Sequence, residues 1–84
     1  MEELKETVEL MLSNDYKERF KAEYYQLKIR IDRLYNMLSK MENDELNFTP
    51  TCSYELLQNQ LKAMLLYEIF LKERAKIEKI DLED

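Results

Sequence analysis

The chain contains no glycine, no histidine and no tryptophan, and only one proline and one cysteine. Without glycine there is no glycine-rich loop to cradle a phosphate. Without histidine the usual metal sites and the Ser-His and Cys-His nucleophile pairs are missing, and so is the side chain that titrates near neutral pH. A lone Cys52 cannot form an internal disulfide and fits a reducing compartment. Long apolar runs are also lacking: none approaches the roughly 18 residues of a membrane span, so no membrane association is expected. Residues 1 to 15, MEELKETVELMLSND, carry five acids and one lysine, where a secretory leader needs a basic start and an apolar run. The acid/base groups that remain are Asp, Glu, Lys and Tyr. Paired carboxylates on helices read as solvated faces, and Cys52 has no neighbouring base and reads as a capping-turn residue. The expectation is a protein that is not an enzyme, with no catalytic residue, no metal and no cofactor.

What is present points to a helical protein. The 84 residues suffice for one small domain, expected to span residues 1–84. Hydrophobic residues make up 45% and charged residues 37%, the balance of a folded soluble chain. Leu4, Val8, Met11 and Leu12 form one stripe of a short amphipathic N-terminal helix within residues 1–14, with Glu2, Glu3 and Glu6 near its start, where the helix dipole favours negative charge. Asp15 is placed to cap the next helix. Over residues 16–43, Phe20, Tyr24, Leu27, Ile31, Leu34, Leu38 and Met41 alternate steps of four and three, the pattern of a long helix packed along one seam. Asp44, Asn47, Thr49, Pro50, Thr51 and Ser53 mark a connection, and Pro50 forbids continuing the helix through it. One of Thr51, Cys52 and Ser53 caps a third helix running from about residue 54 to 80. The predicted fold is all-α, an antiparallel two-helix hairpin over residues 15–80 with a short N-terminal helix.

The third helix has two stripes. Leu57, Leu61, Met64, Leu71 and Ala75 form the seam, interrupted at Glu68. Ala63, Leu66, Tyr67, Phe70 and Ile77 form a second stripe that a single hairpin partner cannot cover. Either the N-terminal helix covers that excess, or Leu66, Tyr67, Phe70 and Ile77 form an interface with another copy in a homo-oligomer. Aligning the long helices outward from the loop puts Leu38 near Leu57, Leu34 near Leu61, Ile31 near Met64, Leu27 near Glu68, Tyr24 near Leu71 and Phe20 near Ala75. Glu68 then either pairs with Lys28 or Arg30 in the seam, or rotates to water while Tyr67 takes its place. The cost of burying an unpaired charge favours the second.

Charge is uneven within a formal net of −5. Residues 16 to 33 hold six basic side chains against three acids, the only basic region of the chain. Lys17, Lys21 and Lys28 fall within about 40° of one another around the helix, with Tyr24 and Tyr35 beside them. Lysines hold phosphates as point charges, and an exposed ring gives a nucleobase a stacking surface. Arg74 and Lys72 could approach the same end. The alternative is plain ion pairing, Lys17 with Glu78 and Lys28 with Glu68, each weak at a surface. Duplex nucleic acid is a poor partner for a net acidic domain. An acidic surface could instead imitate nucleic acid and fill a basic groove on another protein.

Two stretches, DYKERFKAEYYQLKIR (15 to 30) and LNFTPTCSYELLQNQLKAM (46 to 64), followed by Tyr67, Leu71, Arg74 and Ala75, resemble a family of small proteins named after a crAss-like phage protein and encoded by tailed phages and by prophages of gut and other Firmicutes-type bacteria. The FTPTC turn and the Gln-Leu-Lys-x-Met stretch are the most specific parts. Members often have proline where this chain has Ser53, and often Trp or Gly before the turn, both missing here. The acidic N-terminal helix lies outside the resemblance and reads as an added element. The resemblance implies a phage accessory protein of the host bacterial cytoplasm that counters defence, by sequestering a cyclic-nucleotide signal or by binding a host defence protein. A structural accessory protein with no ligand is a third reading. Joined to the lysine–tyrosine flank, the first reading nominates Lys17, Lys21 and Lys28 for phosphate, Tyr24 for stacking, and Thr49, Thr51 and Arg74 for hydrogen bonds.

Overall fold

A computed structural model describes residues 3–82, and these residues contain helices and no strand. A 3-10 turn, Leu4–Thr7, runs into a single α-turn, α1 (Val8–Met11), followed by the long helices α2 (Tyr16–Glu42) and α3 (Tyr54–Glu78). The hairpin of α2 and α3 makes the molecule 43 Å long and 24 by 19 Å across. Length follows from 27 residues in α2 at about 1.5 Å of rise each.

Side chains and short turns set the helix ends. The Asp15 carboxylate accepts from the Lys17 N–H at 3.0 Å and starts α2. Ser53 resolves the choice among three candidates at α3: its hydroxyl accepts from the Leu56 N–H at 3.1 Å. Both C-termini close without glycine. Asp44 (φ 55°) and Lys79 (φ 58°) take the left-handed conformation. Behind them the Glu45 N–H donates to Lys40 O at 2.8 Å and the Ile80 N–H to Ala75 O at 2.9 Å, the long backward bond of a Schellman turn.

The seam is the expected one. Phe20, Tyr24, Leu27, Ile31 and Leu38 of α2 bury against Leu61, Leu71 and Ala75 of α3, and Ile80 joins them. The antiparallel register also agrees, since Lys28 Nζ lies 3.3 Å from Glu68 Oε2. That pair corrects one expectation: Glu68 sits in the seam, 9% exposed, and Tyr67 faces out at 42%. The rotation that would hydrate Glu68 would also pull Leu61, Leu71 and Ala75 from the seam. Their burial outweighs the desolvation of one carboxylate that has an ammonium beside it. The contact is an ion pair without hydrogen-bond geometry, for Oε2 accepts no hydrogen bond.

The N-terminal segment departs from its predicted stripe. Val8, Met11 and Leu12 are exposed, and Thr7 is fully buried. The 3-10 opening explains the shift: at three residues per turn, Leu4, Thr7 and Leu10 share a face. The Thr7 hydroxyl donates to Leu4 O at 2.7 Å and accepts from Gln26 Nε2 at 2.9 Å. Glu2, assigned above to the helix dipole, lies outside the described residues. Among those residues the segment packs on α2 and does not touch α3. It lies beside Ala22, Tyr25 and Ile29, a second buried stripe of α2, so the apolar excess of α3 stays uncovered.

Candidate functional site

The seam divides the hairpin surface into two flanks. On one, the Tyr16 hydroxyl donates to Glu78 Oε1 at 2.7 Å and accepts from Arg74 Nη2 at 3.0 Å. Arg74 Nε also lies 3.4 Å from Glu78 Oε2, and its guanidinium carbon sits 4.9 Å from the centre of the Phe20 ring. Farther along the same flank the Tyr67 hydroxyl donates to Glu23 Oε2. Glu78 holds the Tyr16 phenol protonated above its ordinary range, an effect larger than the opposing pull of Arg74. The hydrogen bond to Tyr16 in turn raises Arg74.

The other flank belongs to lysine. At about 100° per residue, Lys17, Lys21 and Lys28 project from α2 on the side away from Tyr16 and Glu23. Lys72 and Lys76 project from α3 on the side away from Arg74 and Tyr67. Two contacts cross here, Lys28 with Glu68 and Lys17 Nζ donating to Lys79 O at 3.3 Å. The left-handed turn at Lys79 folds the chain back, so that Ile80 is buried and Leu82 packs against the core. Lys72, Ala75, Lys76, Ile80 and Leu82 then line a cleft of about 440 Å³, a size suited to a small ligand. Its floor is apolar, its rim carries two lysines of α3, and Lys17 sits at its edge beside Lys79. Lys76 also pairs with Glu73 at 3.3 Å, an exposed contact of small worth.

Several nominated residues land elsewhere. Tyr24 is wholly buried, with its ring edge-on to Tyr25 at 5.5 Å between centres, and offers no face to a base. Its seam position decides this, because a ring there fills the core before it can meet a ligand. Tyr35 is exposed, but lies four turns from Lys21 beside a smaller cleft with Gln58 and Leu61. Arg74 lies on the opposite flank, engaged by Tyr16 and Glu78. Thr49 and Thr51 belong to the connecting loop at the far end of the 43 Å molecule, where Thr49 lines a separate cleft with Phe48 and Leu46. Lys28 is already paired with Glu68. Lys17 and Lys21 remain, joined by Lys72, which the sequence suggested, and by Lys76, Ile80 and Leu82, which it did not. The signal for Lys76 was present in its spacing of four from Lys72. For Ile80 and Leu82 there was none, because nothing in the sequence marks Lys79 as a left-handed turn.

No group of three His, Cys, Asp or Glu side chains among the described residues could hold a metal. No described helix is long and apolar enough to cross a membrane. No curated protein and no solved structure matches the chain. A family model does match, over residues 14–77, from the cap of α2 to the last turn of α3, and it omits the N-terminal segment. The lysine-rimmed helical hairpin is the part of the molecule so matched, and the chain belongs to the Sequestin family, a name consistent with a sequestering role.

Proposed function

We propose that the chain sequesters a small anionic nucleotide, and that it does so as a phage-encoded counter to a nucleotide-signalled defence in the host cytoplasm. The observation that carries this reading is the open-end cleft on a net acidic chain, where Lys72 and Lys76 line an apolar floor and Lys17, bonded to Lys79 O, and Lys21 project from α2 on the same flank. Lysines attract the phosphates, and Ala75, Ile80 and Leu82 supply the apolar surface a base needs in place of the buried Tyr24. The family name favours holding a molecule over changing it. Calorimetric titration with a panel of cyclic di- and trinucleotides tests the proposal. Micromolar binding by at least one member, weakened about tenfold or more in Lys21→Ala/Lys72→Ala, is expected, since each such factor is about 1.4 kcal/mol. Absence of heat with every member, or unchanged affinity in the double variant, overturns it.

A second reading rests on a different observation, the uncovered apolar face of α3. A host defence protein seated there would make the chain an inhibitor or adaptor. Stoichiometric recovery of one host protein with the wild type, lost in Leu66→Lys, supports that reading over the first.

A further inference from the structure

The groove on the lysine flank continues past Lys28 to the loop end, and there its chemistry reverses. At about 100° per residue, Tyr35, Ser39 and Glu42 of α2 and Tyr54 of α3 lie on the same flank as Lys17, Lys21, Lys72 and Lys76. They enclose a second cleft, of about 200 Å³, over a floor of Leu38 and Leu61, both buried. The Tyr54 hydroxyl crosses from α3 and donates to Glu42 Oε1, which makes one end wall. Tyr35 stands two turns earlier on α2, 61% exposed, at the other end. Ser39 lies between them, and its small side chain leaves the gap open.

Size, charge and ring spacing together choose the occupant. The volume is below the roughly 300–1,000 Å³ of a site for a drug-sized molecule, so the cleft takes a head group and leaves the rest outside. No lysine or arginine lines it, whereas Glu42 does. Asp32 precedes Tyr35 by one turn and Glu55 follows Tyr54, against a single Lys62 on the outer border of α3. A phosphate would meet charge of its own sign here, and a cation the opposite sign. Tyr35 and Glu42 are seven residues apart, about 10 Å at 1.5 Å of rise each. A head group midway is then about 5 Å from either wall, inside the distance of about 6 Å over which a tyrosine ring attracts a cation.

We infer that the loop-end cleft binds the head group of a small alkylammonium ion, seated between Tyr35 and Tyr54 and neutralised by Glu42. The site shares no residue with the lysine cleft, so it stands or falls independently of the nucleotide.

Titration of the full chain with choline chloride, against sodium chloride at equal concentration, tests this through the ring resonances of Tyr35 and Tyr54 and the amide of Ser39. Choline should shift all three and saturate with a dissociation constant on the order of 1 mM. The neutral isostere 3,3-dimethylbutan-1-ol, of the same shape without the charge, should leave them unmoved. Tyr35→Ala and Glu42→Gln should each weaken choline binding about fivefold. The first removes an exposed ring, and the second keeps an oxygen for the Tyr54 hydroxyl, so neither disturbs the hairpin. Ser39→Leu, which fills the gap, should abolish binding with unchanged helicity by circular dichroism. Equal shifts with the neutral isostere, saturation by adenosine at a lower concentration than by choline, or an affinity indifferent to Tyr35→Ala overturns the inference.

Discussion

The two flanks of the hairpin are built on the same helices and differ in what closes them. On one, Tyr16, Arg74 and Glu78 satisfy one another, as do Tyr67 and Glu23. On the other, five lysines project along a groove where Glu68 is buried against Lys28 and Glu73 is exposed beside Lys76. A guanidinium between a phenol and a carboxylate is a structural clasp whose donors are already used. Lys72 and Lys76 stand exposed at the rim of an apolar cleft, where ammonium groups attract an anion as point charges. The net charge of −5 hides this contrast, because the acids lie mostly elsewhere.

The strongest way to break the comparison is to break the seam both flanks share. Leu71 is 1% exposed, and Leu71→Ala should cost about 2–5 kcal/mol in denaturant unfolding. That is a large part of the stability of a chain this size, and both flanks should be lost in one transition. Next comes the pair that ties the lysine flank to the core. Lys28→Ala strands the Glu68 carboxylate and should cost about 1–3 kcal/mol, discounted because Lys28 is partly exposed, whereas Glu68→Leu should be neutral or stabilising. Equal losses in the two variants would mean that the pair itself, and not the stranded acid, carries the energy. A smaller effect of opposite sign is expected at Lys79, whose left-handed conformation shapes the cleft. Lys79→Gly relieves that conformation and should stabilise by about 0.5–1 kcal/mol, read from the midpoint of thermal unfolding.

The smallest effect belongs to the clasped flank and is lost in alkali. Hydrogen bonding to Glu78 raises the Tyr16 phenol above its ordinary 10.0, and Glu42 does the same for Tyr54 at the loop end. A folded pKa above the unfolded one gives a contribution that is complete below pH 10.0 and is lost as pH rises through the folded value. Phenolate absorbance should therefore show late-titrating tyrosines that Tyr16→Phe and Tyr54→Phe remove one at a time. Each variant should be slightly less stable than the wild type at neutral pH, by a small amount because both hydroxyls are exposed, and the difference should vanish in alkali.

Much of the architecture was legible in the sequence, and the reason is periodicity. The four-three alternation from Phe20 to Met41 has only one way to bury itself, and the position of the loop fixes its register against α3. Glu68 misled because a charge in an apolar stripe looks costly when its partner is out of view. The N-terminal stripe misled because periodicity at 3.6 residues does not apply to a 3-10 turn, which aligns Leu4, Thr7 and Leu10 instead. The candidate site was only partly legible. Helical geometry placed Lys17 and Lys21 on one side, but Tyr24 occupies a seam position and fell to the core. Arg74 and Lys72 are two residues apart and so point to different flanks, a separation of about 200° around the helix. Ile80 and Leu82 depend on a turn made without glycine, which leaves no mark in the composition.

The difference between the flanks can be read residue by residue from amide and lysine side-chain resonances during titration with a cyclic dinucleotide or trinucleotide that binds. A ligand held by the lysine cleft should shift Lys17, Lys21, Lys72, Lys76 and Ile80, and leave Glu23, Tyr67 and the loop around Thr49 unmoved. Shifts confined to the Tyr16–Arg74 flank or to the loop would contradict the cleft as the binding site.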